Sequence, residues 1–198
     1  TDLYSQAYFA YDSKKAGGVT RSHLRFCPTP IHSPYYINKA DFISSSQESY
    51  AFKFDMVRDL KDGGTFLLNT TMSADEVADK LPNRMLKGLA DKHAKFFIIN
   101  ANAIARETHM GSHTNTILQS AFFKLNEQIM PYSKSLQLME ESARTTYARK
   151  GQDVVDNNIA AINKGAEGLV EVTVNPEWSN LTSKGALYKE TGDAYYDG

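Results

Sequence analysis

The chain has 198 residues, 41% of them hydrophobic and 23% charged, with a formal net charge of −1. That length supports one substantial core, or one core with a helical appendage, and the near-neutral balance supplies no field to draw in nucleic acid or an anionic membrane. The single cysteine, Cys27, excludes an intramolecular disulfide and any cysteine-ligated iron–sulfur cluster or structural zinc made by this chain alone, and no apolar run nears the ~20 residues of a membrane span.

Tyr4 to Tyr11 alternates with aromatic weight and predicts a strand. A polar loop ending in Gly17-Gly18 follows. Val19 to Phe26 predicts a second strand, with Thr20, Ser22 and Leu24 on one face and Arg21, His23 and Arg25 on the other. Pro28, Pro30 and Pro34 break the next stretch into turns, and Ala40 to Ser46 is a short strand running out into serines. Phe52, Met56 and Leu60 have helical spacing, so a helix is expected over 49–61, stopped by Asp62-Gly63-Gly64. Thr65 to Asn69 and Lys95 to Asn100 are continuous apolar runs, as expected of strands buried on both faces of a parallel sheet. Between them, Ser73-Ala74-Asp75-Glu76 opens a helix as a capping box, and a second helix runs from Asn83 to Lys92 beyond the interruption at Pro82. Helices are expected over 114–128, 133–150 and 153–170. The region from Asn175 carries the only Trp and reads as a connector or tail that would pack on a neighbour.

Chemistry-bearing residues are densest over Lys14 to Phe26. Paired glycines let backbone amides converge on an anion, and Lys15, Thr20, Ser22 and Arg25 add donors around Gly17 and Gly18. The commoner use of such a pair is a hairpin turn with its charges in water. Asn100 and Asn102 end a buried strand, where open α/β sheets place their ligands. Cys27 reads as a structural thiol. His109 and His113 are four apart with Gly111 between them, which favours a loop over a metal pair. Asp153, Asp156, Glu140 and Glu141 read as solvated helix faces. No metal site is expected.

The run from Tyr8 to Phe26 resembles a signature of pyruvate:ferredoxin (flavodoxin) oxidoreductases. The likeness continues through Pro30-Ile31-His32-Ser33-Pro34-Tyr35-Tyr36, Ala40-Asp41-Phe42, Gly63 to Asn69, Lys80-Leu81-Pro82 and Gln119 to Leu125, and reaches about Glu177. It implies a gamma-type α/β domain: a Rossmann-like, open, mostly parallel sheet flanked by helices, with a helical C-terminal part. Residues 1–174 would form that domain and 175–198 the connector. In the family a strand, a glycine-rich turn and a helix precede the segment where this chain starts, so an incomplete N-terminal sheet edge is expected. Cys27 stands where the family commonly has glycine, and Asn100 where it commonly has aspartate.

The resemblance also implies a part in an enzyme that decarboxylates pyruvate oxidatively, forming acetyl-CoA and reducing ferredoxin or flavodoxin. The domain would contribute to coenzyme A binding and to packing against the thiamine domains, with coenzyme A as the co-substrate met here and Lys15, Gly17, Gly18, Thr20, Ser22, Arg25 and Asn100 as its expected contacts. Thiamine diphosphate, magnesium and [4Fe-4S] clusters would belong to other domains of a homodimeric enzyme, and this chain alone would be inactive. The competing expectation is a scaffold domain without a ligand of its own. A free-standing nucleotide-binding protein would need an intact glycine turn after a first strand, which is not found at the start of this sequence. Without a charged head and apolar stretch at the N-terminus, the expected location is the cytoplasm, or a hydrogenosome-like compartment in a eukaryote.

Overall fold

The computed structural model describes residues 4–11, 20–27 and 39–182. The chain divides into two compact units, Thr1–Lys39 and Ala40–Gly198. In the first, strands β1 (Tyr4–Tyr11) and β2 (Thr20–Cys27) form an antiparallel pair, with Tyr4 opposite Cys27 and Tyr11 opposite Thr20. Both strands fall where the alternation of the sequence puts them.

The second unit holds a four-stranded sheet in the order β3-β4-β5-β6. Strands β3 (Ala40–Ser45), β4 (Leu60–Asn69) and β5 (Lys95–Ile99) are parallel, while β6 (Val170–Val172) runs antiparallel to β5. This is the expected open, mostly parallel Rossmann-like arrangement. Its core follows from pleat geometry, because alternate residues of buried strands feed opposite faces. Phe66, Leu68, Phe96 and Ile98 join one core cluster, beneath helices α2 (Ala74–Lys80) and α3 (Asn83–Asp91). Leu67 and Ile99 join the other, with α4 (Ala101–Glu107), α5 (Asn115–Leu125) and α7 (Gln152–Glu167). Helix α6 (Tyr132–Tyr147) packs outside them through Met139 and Ala143 against Ile162.

Three elements differ from expectation. The helix expected over 49–61 is only α1, Glu48–Lys53, and it ends at Phe54 in extended conformation. Leu60 is buried, but as the first residue of β4. The apolar spacing was real, yet it spans a helix, a turn and a strand. Asp62-Gly63-Gly64 is no helix stop either. It forms an excursion within β4, since Ala40 pairs with Leu60 but Phe42 pairs with Thr65. Gly63 adopts a φ of 73° there, in the left-handed region that glycine tolerates. Finally, the helix expected to reach Val170 ends at Glu167, and three residues too few to show a period become β6.

The capping box is half formed. Ser73 Oγ accepts from the Glu76 backbone N–H at 3.3 Å, while the Glu76 carboxylate pairs with Lys80 at 3.4 Å. Ser73→Ala is therefore expected to cost about 0.5–1 kcal/mol, at the low end for an N-cap, read as a small shift of the urea midpoint with an unchanged slope. Beyond β6, Trp178 and Leu181 are partly buried against the first core cluster, and Asn83 Nδ2 donates to the Thr182 carbonyl at 3.2 Å.

Candidate functional site

Parallel pairing brings the carboxyl ends of β3, β4 and β5 to one edge of the sheet, the position where open α/β sheets receive ligands. A crevice of about 530 Å³ opens there. Its walls begin where the strands stop. Ser46, Gln47, Glu48 and Ser49 come from the turn after β3 and the start of α1, and Asn69, Thr70 and Thr71 from the end of β4. Asn102 on α4, with Ser112, Thr114 and Asn115 around the start of α5, closes the far side.

Asn69 fixes the floor of this crevice. It is 4% exposed, its Nδ2 donates to the Ser46 carbonyl at 3.0 Å, and its Oδ1 accepts from Ala101 N at 2.9 Å. One side chain thus ties the end of β4 to the turn after β3 and to the first residue of α4. Thr70 N donates to the Ile99 carbonyl at 2.9 Å, carrying the sheet one residue further. Thr70 Oγ1 donates to Glu48 Oε1 at 2.5 Å and accepts from Met72 N at 3.0 Å, which holds the carboxylate against the wall. Glu48 is the one charged side chain among the described residues lining the crevice. The remaining lining consists of hydroxyls and carboxamides, which recognise a ligand by hydrogen bonds rather than by charge.

The expected site residues fall in two places. Lys15, Gly17 and Gly18 lie outside the described residues. Thr20, Ser22 and Arg25 lie on β2. Asn100 N-caps α4, its Oδ1 accepting from Ala103 N at 3.0 Å. Asn102, two residues on, is the exposed group that lines the crevice. His109 and His113 sit on the loop between α4 and α5, with His109 at a φ of 59°. Among the described residues no three His, Cys, Asp or Glu side chains are grouped as metal ligands would be.

Displaced titrations lie away from the crevice. Hydrogen bonds from Lys87 and then Ser179 hold the Asp91 carboxyl below its usual range. Burial raises the Tyr132 phenol, opposed by its hydrogen bond with Ser120.

Sequence reading missed Ser46 to Ser49, Asn69 to Thr71 and the group around Thr114. A usable signal was present: each strand-like run gives way abruptly to Ser, Thr or Asn, at Ser44-Ser45-Ser46, at Asn69-Thr70-Thr71 and at Asn100.

The family model for pyruvate ferredoxin/flavodoxin oxidoreductase matches residues 1–168. The chain is 48% identical to the pyruvate-flavodoxin oxidoreductase of Enterobacter agglomerans over 93% of its own length and 16% of that protein. It is 41% identical to the pyruvate:ferredoxin oxidoreductase of Moorella thermoacetica, over 94% of the chain and 16% of the relative. Similarity extends to the pyruvate dehydrogenase [NADP(+)] of Cryptosporidium parvum, 40% identical over 87% of the chain and 9% of that protein. Among solved structures, the pyruvate oxidoreductase subunit PORC of Thermotoga maritima superposes with a TM-score of 0.64, covering 86% of this chain and 83% of that one. At 20% identity that likeness is one of fold.

Proposed function

Since the chain belongs to the pyruvate ferredoxin/flavodoxin oxidoreductase family, we propose that it serves as the coenzyme A-binding domain of a larger enzyme. That enzyme would oxidise pyruvate to acetyl-CoA and carbon dioxide and pass the electrons to ferredoxin or flavodoxin. The observation that carries the reading is the hydrogen-bonding crevice at the carboxyl ends of three parallel strands. In a fold of this class that edge is where a ligand is met, and the family's reaction supplies coenzyme A as the ligand.

The remaining chemistry has no place in these residues. One cysteine in the whole sequence does not fit the four thiolates of a [4Fe-4S] cluster. The crevice, with Glu48 as the single carboxylate among its described lining residues, does not fit a magnesium–diphosphate anchor, which needs carboxylates directed at the metal. Thiamine diphosphate and the clusters are accordingly assigned to other parts of the enzyme. A domain serving only as a scaffold would be expected to show broad apolar patches. Among the described residues the large hydrophobic side chains left exposed are Leu138 and Val170, which supports the ligand-binding reading over the scaffold.

Calorimetric titration with coenzyme A tests this. Saturable binding is expected, weakened about tenfold by Arg25→Ala if the guanidinium meets a phosphate, which is the worth of one charge-assisted hydrogen bond. Absence of any saturable heat, with no thermal stabilisation at millimolar coenzyme A, would overturn the assignment.

A further inference from the structure

A second pocket, of about 270 Å³, lies among the helices α5, α6 and α7. Helix α7 packs more closely on α5 and on α6 than those two pack on each other, which leaves a groove above it. Phe123 from α5, Met139 from α6 and Ile162 from α7 give the groove its apolar walls, on the third core cluster. Gln119, Ser142 and Thr146 are exposed at its mouth. The apolar surface is thus gathered inside the pocket and rimmed by polar groups, the form of a small-molecule site rather than of a broad docking patch.

Two buried polar side chains also line it. Ser135 on α6 is 2% exposed and Asn158 on α7 is 3% exposed. Asn158 Nδ2 donates to the Val154 carbonyl at 2.7 Å, which orients the amide and leaves its Oδ1 as an acceptor. Among the described residues, neither that oxygen nor Ser135 Oγ has a hydrogen-bond partner. Buried polar atoms are nearly always paired, so an unpaired one from each of two helices at a single pocket points to a partner that enters from outside.

We infer that this pocket binds a small uncharged molecule with a ring about the size of an indole and an N–H or O–H donor on its edge. The inference does not depend on the coenzyme A reading. The donor pairs with Asn158 Oδ1, and Ser135 Oγ, able to donate or accept, takes a second polar atom where the ligand has one. A charged group would lose its hydration against Phe123, Met139 and Ile162, so the walls select for a neutral body. A volume of about 270 Å³ is at the small end for such sites and suits one ring or two fused rings. Met130 and Met139, unbranched and adaptable, yield to the outline of the ring and let its donor reach the floor.

The test titrates the chain with indole and with indene, which has the same outline without the N–H, followed by ligand-detected NMR. Both should bind saturably, indole about tenfold more tightly, the worth of one hydrogen bond to an otherwise unpaired buried acceptor. Asn158→Leu, similar in volume, should weaken indole about tenfold and leave indene unchanged. Ser142→Trp, at the exposed mouth, should block both. The inference is overturned if neither compound binds, if the parent chain binds the two equally, or if Ser142→Trp leaves both unaffected. Equal binding would mean that solvent satisfies Asn158 Oδ1. The indole–indene comparison uses the parent chain, so it decides even where Asn158→Leu does not fold.

Discussion

Asn69→Ala is expected to lower the stability of the chain by about 2–4 kcal/mol, a fall in Tm on the order of 5–12 °C for a domain of this size. The reasoning starts from burial. Asn69 is 4% exposed and Ala101 is fully buried. Ala101 is the first residue of α4, so its N–H has no partner within the helix and depends on Asn69 Oδ1 at 2.9 Å. Truncation leaves that donor unsatisfied in the interior and removes the donor to the Ser46 carbonyl. Leaving a buried group unpaired costs more than the bond itself contributed.

Asn69→Asp separates the two bonds. The carboxylate still accepts from Ala101 N, but an oxygen now faces the Ser46 carbonyl. Burial and this repulsion would raise the carboxyl pKa in the folded state above its unfolded value. The penalty is then absent below the unfolded pKa of about 3.9 and grows as pH rises towards the folded one. The gap in stability between Asn69→Asp and the parent should therefore be wider at pH 8 than at pH 4. An equal gap at both values would mean that the aspartate is solvated and the floor of the crevice is looser than its hydrogen bonds imply.

Strand content was legible wherever burial was two-sided. Phe66 to Leu68 and Phe96 to Ile99 are apolar without a break because both faces are covered, and that alone separates them from the alternating sequence of β1. Leu60 misled for a related reason. Its spacing from Phe52 and Met56 reports that all three lie at the core, and a core position carries no mark of the backbone that delivers it there. Strand β6 was illegible because its three residues pair with β5 through tertiary context rather than propensity.

The same division holds at the crevice. Asn100 drew attention because it ends an obvious strand, yet its side chain is occupied in capping α4. The lining residue is Asn102, and distinguishing the two requires the helix start to be known within two residues, finer than patterns resolve. Asn69 was equally visible as the residue ending a strand. Its role depends on Ser46 and Ala101, 23 and 32 residues away in sequence, and such pairings exist only once the parallel register is set.

Helix α7 supplies a second large effect, at a position with no part in the crevice. A Cβ placed on Gly165 would lie 2.6 Å from the Ile117 carbonyl oxygen and 3.0 Å from Ser120 Cβ. The nearest atom is backbone, so it cannot swing aside as a side-chain tip would. Next to it, Ser120 Oγ, fully buried, donates to the Ile162 carbonyl at 2.5 Å, a bond that joins α5 to α7 and depends on their close approach. Gly165→Ala gains about 1 kcal/mol of helix propensity and loses roughly 2–4 kcal/mol by forcing the helices apart, so a net destabilisation of about 1–3 kcal/mol is expected. Ala160→Gly, at an exposed position of the same helix, calibrates the propensity contribution and should cost about 1 kcal/mol. Denaturant melts of both variants decide the matter. If Gly165→Ala instead stabilises by the amount that Ala160→Gly costs, α5 gives way freely, and the seam between α5 and α7 is not what holds the helical half of the domain on its sheet.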